Sequence, residues 1–145
     1  MVRLVAALVA ASSLLAGCTD APEDDATGGY LATQETVGDL PGARLEISGT
    51  LRVLANGCLV LERDNGKQPW IVWPPGAVPG PQGGAKLGSE VYLPGDRVTA
   101  TGTIAVLADL PGGNRDDSYY GTLGHYCDGD AVGVAVLDSI RHAAG

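Results

Sequence analysis

Three cysteines, two histidines and a scattered group of aspartates are the residues of this 145-residue chain best suited to chemistry. A thiol can act as a nucleophile, a metal ligand, half of a disulfide or a lipid attachment point, and its surroundings decide which. Cys18 stands near the N-terminus, while Cys58 and Cys127 lie far apart in the remainder. His125, two residues before Cys127, allows a thiolate–imidazole metal site, but no CxxC pair accompanies it. None of Ser12, Ser13, Ser48, Ser89, Ser118 and Ser139 lies in a nucleophile-elbow context, and neither a phosphate-binding glycine loop nor HExxH occurs. With His125 in a loop and His142 near the C-terminus, a histidine acid–base pair is not expected. The chain therefore reads as non-catalytic and without a cofactor.

Two further groups are candidates for binding. Asp116, Asp117, Asp128 and Asp130 are the best metal candidates, because Asp128-Gly129-Asp130 spaces two carboxylates as oxygen-ligand loops often do. The segment lacks the length and terminal glutamate of an EF-hand loop, so a solvated loop is the expectation and a metal or small ligand the alternative. The ligand-binding candidates are Trp73, Tyr119, Tyr120 and Tyr126. Trp70 and Trp73 are three apart on an expected strand and must point to opposite faces. Trp73, beside Pro74-Pro75, is read as the partly exposed one, and with the tyrosines it could line a shallow apolar site. The simpler reading, which is favoured, packs Trp73 under its proline loop and lays the tyrosines over the cysteines.

Composition narrows the setting. Nine basic against seventeen acidic residues give a net charge of -8, the wrong sign for holding nucleic acid by its phosphates. Met1-Val2-Arg3 supplies one positive charge, and Leu4 to Leu15 is an uncharged apolar run, too short to span a bilayer but suited to a secretory signal. The run ends in Leu15-Ala16-Gly17-Cys18. This order resembles the lipobox of bacterial lipoproteins. The resemblance implies a signal peptide over residues 1–17, cleavage between Gly17 and Cys18, and a diacylglycerol thioether on Cys18 with acyl chains such as palmitate. An ordinary thiol beside a secretory cleavage site is the alternative. Two or three acyl chains make a stable anchor where one is marginal. Residues 18–29 carry four acidic side chains, no basic ones and no large apolar group, which fits a flexible acidic tether. The Glu23-Asp24-Asp25 cluster within it reads as solvated rather than metal-binding. With Cys18 assigned to lipid by resemblance, Cys58 and Cys127 remain as a pair in an oxidising compartment, and a disulfide is favoured over a metal site.

The domain that must position these residues runs from 30 to 145. Leu45, Ile47, Gly49, Leu51 and Val53 alternate with polar residues, the pattern of a half-buried strand. Asn56-Gly57 signals a type I′ hairpin into Cys58–Arg63, and Asp64-Asn65-Gly66 turns the chain into a third strand over 68–73. Four prolines and five glycines between Pro74 and Glu90 predict a long loop. Arg97–Leu107 alternates again, with Val98, Ala100, Gly102, Ile104 and Val106 on one face. A polar loop leads to a last strand over 131–140, and no helix is expected after the signal. The class is all-β: a small five-stranded barrel after a signal peptide and tether. Gly95-Asp96-Arg97-Val98-Thr99-Ala100-Thr101-Gly102 resembles the fourth-strand pattern of bacterial OB-fold domains, and Gly49-Thr50-Leu51 with Gly57–Leu61 resembles their first hairpin. The chain also resembles small exported lipoproteins of high-GC bacteria, in keeping with its seven arginines against two lysines. The expected role is a membrane-anchored, non-catalytic binding or interaction domain of the cell envelope. It would sit on the outer face of the cell membrane or face the periplasm. An envelope protein or glycan is the expected partner and nucleic acid is not. The alternative is an envelope accessory domain binding a metal or small ligand through the Asp116–Asp130 loop.

Overall fold

The computed structural model describes residues 31–145. The signal segment, the tether, Gly17 and Cys18 lie outside the described residues. Five strands form the barrel: β1 (Leu45–Val53), β2 (Leu59–Glu62), β3 (Trp70–Trp73), β4 (Arg97–Ala105) and β5 (Val134–His142). β1 lies antiparallel between β2 and β4, with Leu51 opposite Leu61 and Ile47 opposite Ala100. β4 pairs antiparallel with β5, and β5 closes the ring by pairing parallel with β3, Ile71 opposite Ala135. The order β3–β2–β1–β4–β5, returning to β3, makes the small closed five-stranded barrel that the strand sequence implied.

The alternation in β1 holds at its centre, where Ile47 and Leu51 are buried, while the terminal Leu45 and Val53 are exposed. Inside the barrel Ile47, Leu51, Leu61, Ile71, Trp73, Val98, Ala100, Ala135 and Leu137 form one core cluster. The two glycines of the β4 pattern have separate causes. Gly95 takes positive φ (96°) after Pro94, which a type II turn requires, and the turn is fixed by Leu93 N–H donating to the Asp96 carboxylate at 2.8 Å. Gly102 sits where a side chain would collide with the Val136 carbonyl. There β5 carries a bulge: Thr101 faces Ser139 and Gly102 faces Leu137, leaving Asp138 as the extra residue.

Several expectations need correction. Asn56-Gly57 is not a type I′ turn, because Asn56 is not among the positive-φ residues and only Gly57 is (86°). Instead Gly57 N–H donates to Leu54 O and Leu54 N–H to Cys58 O, a three-residue connection ending in a left-handed glycine. Residues 63–67 repeat it, with Gly66 N–H to Arg63 O and Arg63 N–H to Lys67 O.

The glycine-rich stretch after β3 is not structureless. Val78–Pro79, Ala85–Leu87 and Glu90–Tyr92 form a small antiparallel sheet whose Ala85 and Tyr92, with the nearby Ala77, close one barrel end beneath Trp73. The expected polar loop before β5 contains two helices, α1 (Tyr119–Tyr126) and α2 (Gly129–Val132). Gly121 and Gly124 are poor helix formers, so local propensity hides α1. Tertiary contact requires both glycines: side chains there would strike the Arg115 carbonyl and Leu107. Residues 131–132 belong to α2, so β5 starts at Val134, later than expected.

Candidate functional site

A small barrel can present a ligand site on its outer face or at its mouth. Here Trp70 and Val72 of β3, Val134 and Val136 of β5, and Cys58 form the apolar outer surface. The chain covers it itself, with Leu107, Leu110, Tyr120, Leu123 and Cys127 from one segment and Ala32 and Leu40 from another. Cys58 and Cys127 stand at disulfide-bonding distance, their Cα atoms 5.7 Å apart, and stitch the C-cap of α1 to the start of β2. The two sulfurs are thus joined to each other, and His125 instead pairs through Nδ1 with the Asp116 carboxylate at 2.6 Å.

The tyrosines act within this cover. Residues Ala32–Thr33 add a short strand parallel to Val72–Trp73. Its free edge is held by two neighbouring side chains: Thr33 N–H donates to the Tyr119 hydroxyl (3.0 Å), and the Tyr120 hydroxyl donates to Thr33 O (3.1 Å). Gln34 completes the seat, donating through Nε2 to Leu137 O at 2.7 Å and to the bulge carboxylate of Asp138 at 2.9 Å, which Arg44 also contacts at 2.7 Å. Burial raises the Tyr120 pKa, aided by Tyr119 and Glu35. Tyr126 bonds the first hairpin turn, its hydroxyl donating to Asn56 O at 2.9 Å.

Trp73 does not join the tyrosines. It is fully buried inside the barrel, 5.9 Å from the Tyr92 ring, which corrects the expectation of partial exposure. The two tryptophans do face opposite sides, but the outer face is covered too, so Trp70 is also buried. The four aspartates are not gathered into one ligand set. Asp116 engages His125, Asp117 engages Arg115 at 2.9 Å, and Asp128 and Asp130 lie at the start of α2. No group of three or more potential ligands for a metal occurs among the described residues.

An open concavity remains elsewhere. A cleft of about 610 Å³ lies where β3 and β5 begin and β4 ends, between the Gly66–Gln68 turn, Ile104–Val106 and Asp130–Gly133. Ile104, Val106 and Val132 expose apolar surface there, Val106 to 58%, with Lys67 and Asp130 also lining the cleft. Ile104 follows Val98, Ala100 and Gly102 at two-residue spacing along β4 and is exposed where that strand ends. Of the candidates named from sequence only Asp130 lines this cleft. The signal for the rest was Val106, an apolar residue at the end of a strand pattern where the chain then turns away. Compared with protein-family models, curated proteins and solved structures, the chain matches none.

Proposed function

We propose that this chain is a membrane-anchored, non-catalytic binding lipoprotein of the cell envelope, whose domain recognises an envelope protein or glycan through the cleft at the β4 end of the barrel. The observation that carries the reading is the exposed trio Ile104, Val106 and Val132 in a concave site, on a barrel whose interior and outer β3–β5 face are filled by its own side chains. The cleft falls within the size range of ligand sites and is lined by the apolar Ile104, Val106 and Val132 together with Lys67, Gln68 and Asp130. Anchoring rests on the lipobox-like Leu15-Ala16-Gly17-Cys18 and on a cysteine pairing suited to an oxidising compartment.

Two substitutions test the parts separately. Cys18→Ser should move the protein from the membrane fraction to the soluble one, and unchanged detergent partitioning would refute the anchor. Val106→Asp should abolish partner capture while leaving the unfolding midpoint unchanged, since the side chain is exposed. Capture that survives Val106→Asp would place recognition outside the cleft. The alternative of a metal held by the 116–130 segment is not favoured by the dispersed carboxylates, and thermal stabilisation by added calcium would restore it.

A further inference from the structure

Asn56-Gly57 and Asn65-Gly66 are two copies of one local structure. Each asparagine Oδ1 accepts from the backbone N–H two residues on, at 3.1 Å from Cys58 and 3.0 Å from Lys67, and each glycine takes positive φ. They differ in what surrounds them. Asn56 is clamped from α1: its Nδ2 donates to Tyr126 O at 3.3 Å, the Tyr126 hydroxyl donates to Asn56 O at 2.9 Å, and the adjacent Cys58 is bonded to Cys127. Among the described residues the Asn65 side chain hydrogen-bonds only within its own turn, and Gly66 is exposed, with no described atom within 4 Å of the place a side chain would occupy. An ion pair from Arg97 holds the neighbouring Asp64, not Asn65.

Asparagine followed by glycine is the sequence most open to intramolecular attack, because glycine places no Cβ beside the reacting nitrogen and permits the backbone rotation needed. We propose that Asn65 is a site of self-modification by deamidation through a succinimide, and that the Tyr126 clamp protects Asn56 from the same reaction. The Gly66 nitrogen loses its proton and bonds to Asn65 Cγ, and the Cγ–Nδ2 bond breaks with release of ammonia. Water then opens the ring at either carbonyl, giving aspartate or isoaspartate. No oxidant or enzyme is needed. Gly66 and Lys67 line the cleft, so the reaction places a new carboxylate next to its rim.

The experiment incubates the intact, disulfide-bonded chain in mildly alkaline buffer and follows both asparagines by peptide mass spectrometry with fragmentation that separates isoaspartate from aspartate. Both turns must give up the glycine N–H bond and the asparagine Oδ1 bond that they share, and freeing Asn56 requires losing two more, so Asn65 should convert about tenfold faster or more. Tyr126→Ala should narrow the gap by speeding Asn56 alone, and the reduced, denatured chain should convert both sites at similar rates. Equal rates in the folded chain, no conversion of Asn65, or a gap that persists in the denatured chain would each overturn the proposal.

Discussion

The Tyr120 hydroxyl donates to the Thr33 carbonyl at 3.1 Å, joining helix α1 to a strand 87 residues earlier. With Tyr119 taking the Thr33 N–H, two consecutive side chains replace the neighbouring strand that this edge lacks. Residues 32–34 are thereby part of the folded domain.

Tyr120→Phe should therefore lower stability by about 0.5–1.5 kcal/mol, the range for one intramolecular hydrogen bond. Tyr119→Phe should cost less, because Tyr119 is exposed and water can replace it. Urea unfolding midpoints of the two variants provide the check.

Alkaline pH should act in the same place. Burial raises the pKa of Tyr120, and of Tyr92 with help from Glu90, above the ordinary value of 10.0. The unfolded chain then releases these protons first. Their contribution is complete below pH 10.0 and is lost as pH rises through the higher folded values. A stability profile flat from neutral pH to well above this value would contradict the burial of both hydroxyls.

Replacing Cys58 and Cys127 together by serine should destabilise the fold by up to about 4 kcal/mol, set by the long loop the bond closes. The loss should be uneven. Helix α1 contains two glycines and depends on its attachment, so amides from Tyr119 to Val132 should exchange well before those of β1 and β4. Uniform exchange would show that the helical cover does not depend on the disulfide.

Both tryptophans should be shielded from acrylamide, with Trp70→Phe and Trp73→Phe variants giving equally weak quenching. Strong quenching of Trp73 would place it outside the barrel core.

The five strands were legible because a half-buried strand writes its geometry as alternation, and Ile47, Leu51, Val98 and Ala100 obey it. Cys58 and Cys127 were legible as a pair from the cysteine count, once the lipobox resemblance had set Cys18 aside. Helix α1 was not, because its sequence YYGTLGHY is set by tight packing against Leu107 and Arg115 rather than by helix propensity. The turn at Asn56-Gly57 was misread because the dipeptide fits two connections differing by one residue, and strand register chose between them. The aromatic candidates left two readings open for a related reason. Tyrosines and tryptophans carry the same sequence signal whether they meet a ligand or their own chain, and here Tyr119 and Tyr120 meet Thr33. The cleft is assembled from three segments distant in sequence, and nothing in any one of them shows that they meet.

In the function proposed for this chain, the domain recognises an envelope partner through this cleft. The most direct test is site-specific photo-cross-linking in intact cells, with the probe at Val106 in the cleft and, as a control, at the exposed Val78 of the small sheet. The expected result is one discrete adduct from Val106, absent from Val78 and lost when Val132→Asp is added. Equal adducts from both positions, or none from Val106, would contradict the account.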